Sequence, residues 1–176
     1  IAQRAVACAG LAGAETRGTR LFDFALRPMQ TACVDVALTE GPMLAVIEDE
    51  TGAGKTEAAL LLAQRMLLAG KGRGLFVALP TMATADAMFR RAAKMMGRLF
   101  GNRTTLTLAH GRAGLSVEFQ DIVGAQVRSE DDVTCTDWLA ESRRRALLAD
   151  VGVGTVDQAL LSVLPVRFQT LRHFGL

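Results

Sequence analysis

Apolar and polar positions fall in blocks along this chain, and the blocks alternate between two periods. Residues 43–47 (Met-Leu-Ala-Val-Ile) are a short continuous apolar run, the pattern of a strand covered on both faces. Residues 56–69 follow as a helix built mostly of Ala and Leu, with Glu57 and Gln64 seven apart on one face and Gly70 as its stop. Residues 75–79 read as a second strand, and residues 82–99 as an amphipathic helix ending at Gly101. Residues 104–108, β-branched and alternating, read as a third strand, and residues 151–153 as a very short fourth. Residues 155–164 read as a helix stopped by Pro165, and Pro28 suits the first turn of an earlier helix reaching to about residue 38. Strand and helix alternating at this spacing predict an α/β fold, a parallel sheet with helices on both faces and right-handed crossovers.

The pattern fails in three places. Residues 1–20, rich in Ala, Gly and Arg without a period, read as a linker or a loosely attached helix, so the organised unit is 21–176. Residues 110–134, polar and mixed, with the cluster Glu130-Asp131-Asp132, read as a mobile surface loop. Residues 137–148 then read as a further helix carrying Arg143, Arg144 and Arg145.

Composition narrows the class. A chain of 176 residues is about one domain, and with 50% apolar and 22% charged residues it is not disordered. No apolar run approaches the roughly 18–20 residues needed to cross a bilayer, which excludes a membrane-spanning protein at this stage. Cys8, Cys33 and Cys135 are far apart, no Cys-x-x-Cys occurs, and the only histidines are His110 and His173, so free thiols in a reducing cytoplasm fit better than a zinc site. The chain opens on Ile1 without a basic-then-apolar leader, which suits a piece of something longer.

The sharpest chemical signal is Thr51-Gly52-Ala53-Gly54-Lys55-Thr56, directly after an apolar run and opening a helix. Two glycines let the backbone turn so that successive N–H groups face a polyphosphate, and the helix start adds partial positive charge. Lys55 can reach the outer phosphates, and the Thr56 hydroxyl can ligate Mg²⁺. Asp49 stands five positions before Gly54, where the general pattern has glycine, and Glu48, Asp49 and Glu50 are expected to face solvent or to touch the metal shell. Upstream, the planar amide of Gln30 matches the donor–acceptor edge of adenine, although an ordinary surface glutamine fits that spacing better.

Net charge is only +2, yet it hides an asymmetry: residues 71–112 hold eight basic residues against Asp86 alone, a local +7, while residues 30–57 hold six acidic residues against Lys55, a local −5. Arg90, Lys94 and Arg98 share a helix face; this is either a phosphate-backbone track or, the better fit, the solvated outer face of a helix on a sheet. The Leu-Pro80-Thr81-Met-Ala-Thr84 loop follows a strand at its carboxyl end, the edge where open α/β sheets bind ligands. Thr81 and Thr84 can cap the helix or donate to a phosphate, and Thr155 with Gln158 three later is also a plain capping box.

Together these residues closely resemble the helicase region of the CRISPR-associated helicase–nuclease of type I interference systems, a superfamily 2 DExD/H helicase. The resemblance covers roughly residues 21–176 and rests on Arg-Pro-Met-Gln30, Thr-Gly-Ala-Gly-Lys-Thr-Glu-Ala-Ala59, Leu-Pro-Thr-Met-Ala-Thr84 and Val-Gly-Thr-Val-Asp-Gln158. It implies a partial first RecA-like lobe, with Gln30 on adenine, Thr51, Gly52, Ala53, Gly54, Lys55 and Thr56 on ATP and its Mg²⁺, and Pro80, Thr81, Thr84 and Thr155 on single-stranded DNA. It also implies ATP-driven movement on that DNA in antiviral defence, recruitment by an RNA-guided surveillance complex, a second helicase lobe and an attached HD nuclease domain. Asp49 and Glu50 depart from the family's small residue and proline. No Asp-Glu-x-His follows an apolar strand, so the hydrolytic carboxylates are expected to lie outside the chain, after Leu176, and the chain alone is expected not to turn over ATP.

Two other classes remain at this point. A P-loop phosphotransferase acting on a small molecule would need a lid of arginines such as Arg143–Arg145. A non-catalytic module would use the basic stretch to hold nucleic acid or a protein partner.

Overall fold

The computed structural model describes residues 2–9, 11–101, 104–111, 113, 139 and 145–165. Helices α1 (Ala2–Cys8), α2 (Pro28–Asp35) and α3 (Lys55–Leu68) precede strand β1 (Leu75–Leu79). Helix α4 (Met82–Leu99), strand β2 (Leu106–Ala109), a 3₁₀ turn (Ala146–Leu148), strand β3 (Val151–Thr155) and helix α5 (Val156–Leu160) follow. The sheet is parallel with order β1-β3-β2, which confirms the α/β class. The last strand in the sequence is central: Val151 is in register with Leu75 and Leu106, Val153 with Val77 and Leu108, and both valines are fully buried.

Helix α4 shows why the sheet has a core. Ala85, Met88, Phe89, Ala92, Met96 and Leu99 recur at three- and four-residue steps and are all buried. They meet Leu106, Leu108, Val151 and Val153. The opposite face carries Arg90, Arg91, Lys94 and Arg98, all exposed, so the basic stripe is the outer face of a helix on a sheet. Arg98 donates to the Asp23 carboxylate at 2.6 Å, and this bond holds that carboxyl below its ordinary range.

Asp150 fastens the amino edge of the sheet. Its Oδ1 accepts from the Ala14 amide at 2.8 Å, and its Oδ2 accepts from the Thr105 amide and hydroxyl, both at 2.8 Å. The segment between α1 and α2 is tied down further. Gln64 donates to the carbonyls of Arg17 and Thr19, and the Gly101 amide donates to Glu15. Within residues 1–20, the helix α1 has no buried residue, whereas residues 14–19 are bonded to the body.

The expected strand at 43–47 does not form. Residues 42–50 have no regular structure, and Leu44 is 90% and Val46 74% exposed. A strand exists only by pairing, and β1 pairs with β3 alone among the described strands. Beside β1 lies an apolar cavity of about 200 Å³ lined by Thr56, Leu60, Phe76, Ala78 and Met88, among others. The apolar run at 43–47 therefore has strand composition without a ladder.

Other differences are at element ends. The helix expected over 155–164 stops at Leu160, because the Ser162 and Val163 amides turn back to Ala159 and Leu160 in i→i+3 bonds. The helix from Pro28 ends at Asp35 rather than near residue 38. The third strand starts at Leu106, two residues after its expected start. Most of the loop expected at 110–134 and of the helix expected at 137–148 lies outside the described residues, and Ala146–Leu148 is a 3₁₀ turn.

Candidate nucleotide site and nucleic-acid interface

The phosphate loop is built by two glycines in the left-handed region, Gly52 at φ 83° and Gly54 at φ 93°. Gly54 is also the N-cap of α3, where no side chain caps the first-turn amides. The left-handed φ favours glycine there, and a Cβ would also push aside the tip of the Gln30 side chain. The loop closes on itself through the Ala53 amide and the Glu50 carbonyl at 3.2 Å.

Helix α2 holds this loop from one side. The Gln30 Nε2 donates to the Gly54 carbonyl at 3.3 Å, and its Oε1 accepts from the Arg27 amide at 3.0 Å. Gln30 is buried at 2% exposure, so it is not the surface glutamine that spacing favoured. The Arg27 guanidinium donates to the Gly52 carbonyl at 3.0 Å. Each Gln30 amide hydrogen and lone pair counts here: one donor and one acceptor are used, and one of each remains.

Lys55 lies across the mouth of the loop. Its ammonium donates to the Asp49 and Glu50 carbonyls, both at 2.7 Å. The acidic side chains of Glu48, Asp49 and Glu50 are exposed, as expected from charge repulsion, with Asp49 Oδ1 accepting from the Glu50 amide at 2.8 Å. Thr56 is exposed in the first turn of α3. Among the described residues no cluster of three His, Cys, Asp or Glu side chains could hold a metal by itself. One hydroxyl does suit Mg²⁺ at a nucleotide, because that ion keeps several waters and takes phosphate oxygens beside one or two protein ligands.

A second set of residues stands on the carboxyl edge of the sheet. Leu79 is in register with Thr155, and Ala109 with Gly154, so the segments after β1, β2 and β3 leave from one edge. Thr81 and Thr84 form a reciprocal capping box. The Thr81 hydroxyl accepts from the Thr84 amide at 3.2 Å, and the Thr84 hydroxyl accepts from the Thr81 amide at 3.3 Å. Both threonines and Pro80 are exposed. Thr155, by contrast, is 6% exposed and makes no side-chain cap. Its expected capping box with Gln158 does not form, because Gln158 turns its amide nitrogen to Asp157 at 2.9 Å.

Composition and spacing did not point to two polar pairs. His110, 2% exposed at the end of β2, bonds to Asp86 of α4 at 2.9 Å. Arg91 of α4 forms an ion pair with Glu57 of α3. A histidine directly after a strand end is a usable hint for the first. Nothing local marks the second, since its partners are 34 positions apart. Of the arginines weighed as a lid, Arg143 and Arg144 lie outside the described residues.

A parallel sheet, a phosphate loop opening a helix and a threonine-bearing loop at the carboxyl strand edge define a P-loop nucleotide-binding lobe. Residues 27–157 match the DEAD/DEAH box helicase family, and the chain belongs to it. It is 42% identical over 167 residues to the CRISPR-associated endonuclease/helicase Cas3 of Thermus thermophilus, covering 89% of this chain and 18% of that protein. It is 38% identical over 160 residues to the protein of the same description from Escherichia coli K12, again covering 89% of this chain and 18% of that one. The crystal structure of T. fusca Cas3 with AMPPNP superposes with a TM-score of 0.81 at 37% identity, over 96% of this chain and 19% of that chain. The chain thus spans under a fifth of the length of the relatives it matches, and its fold is that of part of the Cas3 RecA-like lobe. No helix among the described residues is long and apolar enough to cross a membrane.

Proposed function

We propose that this chain is the ATP-binding lobe of a CRISPR-associated, ATP-dependent single-stranded DNA helicase that acts in antiviral defence in the cytoplasm. The observation that carries this reading is the phosphate loop itself, with Gly54 shaped against Gln30 and Lys55 laid across its mouth. The likeness to nucleotide-bound T. fusca Cas3 supports ATP as its ligand.

In this reading the Gly52–Thr56 backbone and the α3 amino terminus cradle the phosphates. Lys55 exchanges its two carbonyl partners for phosphate oxygens, and Thr51 and Ala53 shape the turn. Thr56 holds Mg²⁺, which neutralises charge on the transferred phosphate when bound. Gln30 offers its remaining donor and acceptor to the adenine edge while keeping Gly54 in place. Pro80, Thr81, Thr84 and Thr155 contact the DNA strand, the exposed Thr84 hydroxyl exchanging its bond to the Thr81 carbonyl for a phosphate oxygen. No side chain of this chain is assigned the activation of the attacking water; that group, the second helicase lobe and the HD nuclease domain belong to the rest of the intact protein. The recruiting partner is an RNA-guided surveillance complex.

The test is phosphate release by the intact protein with ATP and Mg²⁺, with and without oligo-dT. Stimulation by single strands, and much less by duplex of the same length, is expected for a strand-tracking site. Phosphoryl transfer to a small acceptor without any response to DNA would contradict the reading.

A further inference from the structure

We infer that the Glu57–Arg91 ion pair is a positioning pair that couples the nucleotide loop to the DNA-contacting edge; this rests on the function proposed above. Helix α3 begins at the phosphate loop, and Glu57 lies in its first turn, next to Thr56. Helix α4 begins at the Thr81 cap, and Arg91 lies in its middle. One Glu57 oxygen accepts from the Arg91 guanidinium, while the other lies 3.4 Å from where a Cβ of Gly54 would be. The carboxylate therefore stands beside Gly54 of the loop while it is paired to the neighbouring helix.

The surroundings make this contact mechanically informative. Elsewhere the backbones of α3 and α4 scarcely approach each other. Leu60, one turn after Glu57, and Met88, one turn before Arg91, line the same apolar cavity beside β1. The pair thus joins two helices whose neighbouring residues line that cavity. Its side chains are 21% (Glu57) and 47% (Arg91) exposed, so it adds little to stability. The stability of α3 comes from Ala58, Leu60, Leu61, Leu62 and Leu67, all buried. Helix α4 runs unbroken from the Thr81–Thr84 cap through Arg91, so Arg91 and the cap belong to one rigid element.

Charge gives the coupling its direction. A polyphosphate at the loop repels the Glu57 carboxylate, and Arg91 holds that carboxylate in place. Nucleotide binding therefore loads the Glu57–Arg91 link, and DNA at the threonine edge changes how α4 bears that load. Coupling between sites is reciprocal, so DNA must shift nucleotide affinity through the same pair.

The experiment measures the Kd of a fluorescent non-hydrolysable ATP analogue for the intact protein, with and without saturating oligo-dT. Wild type, Arg91→Gln, Arg91→Lys, Glu57→Gln and the Glu57→Gln/Arg91→Gln double variant are compared. In wild type, DNA is expected to change the Kd by about five-fold or more. Arg91→Gln should bring that ratio close to one while leaving the melting temperature within about 2 °C of wild type, as befits a half-exposed pair. Arg91→Lys, which keeps the positive charge, should restore part of the ratio. The double variant should be no worse than Arg91→Gln, since both remove one link. An unchanged ratio in Arg91→Gln overturns the inference while leaving the helicase reading intact. A wild-type protein that does not bind oligo-dT at all overturns the helicase reading itself.

Discussion

ATP turnover by the intact protein is expected to fall by at least about 100-fold when Lys55 is replaced by Ala, the scale seen when one preorganised charge at a reacting phosphate or oxyanion is removed. The reason is local. Lys55 is the cation at the mouth of a loop whose approach is flanked by the exposed acids Glu48, Asp49 and Glu50. Remove the ammonium, and an incoming triphosphate meets those three carboxylates with only backbone dipoles and the Arg27 guanidinium, itself bonded to the Gly52 carbonyl, in its favour. The fold should not suffer, because Lys55 bonds only to two loop carbonyls. Steady-state phosphate release, with circular dichroism as the control for folding, checks both halves. Turnover within a few-fold of wild type would show that Lys55 is a surface lysine and the loop a plain turn.

The largest expected effect on stability comes from Gly154→Ala. In the central strand β3 this glycine lies so close to β2 that a Cβ would overlap the Ala109 carbonyl oxygen. It would also stand 2.9 Å from both the Ala109 Cβ and the tip of the Phe76 ring. Backbone oxygens of a paired strand cannot step aside as a flexible side chain can, so the sheet itself must spread. Overpacking of this kind costs about 3 kcal/mol, or roughly 6–12 °C in melting temperature for a domain of this size. Thermal denaturation of the variant reads this directly, and a shift under about 2 °C would mean that β2 and β3 are less closely held than the register indicates.

Gly154 and its neighbour in β3, Gly152, also show where sequence reasoning stops. Gly152 and Gly154 look, in sequence, like weak points in a short strand, yet they let Phe76 and β2 approach closely. The strand at 75–79 and the helix at 82–99 were legible to the residue, because a continuous apolar run and a strict three–four period depend only on their own side chains. The helix after the phosphate loop was legible to within one residue for the same reason. Residues 43–47 were misread, since an apolar run states a wish to be buried and a strand also needs a neighbour to pair with. Thr155 and Gln158 had capping spacing, but the spacing does not fix the Gln158 rotamer, which goes to Asp157 instead. The loop's turn was legible from Gly52 and Gly54, which both take the left-handed conformation there. Its support was not: the clamp of Arg27 and Gln30 on the loop carbonyls crosses some 25 positions of chain and leaves no local pattern.

If this lobe takes part in ATP-driven movement along single-stranded DNA, displacement of streptavidin from biotinylated oligonucleotides reads that movement. The intact protein, given ATP and Mg²⁺, should clear streptavidin from one end of the strand, and should fail to do so with AMPPNP or with Lys55→Ala. Brisk DNA-stimulated hydrolysis with no displacement from either end, or displacement that survives Lys55→Ala, would contradict the account.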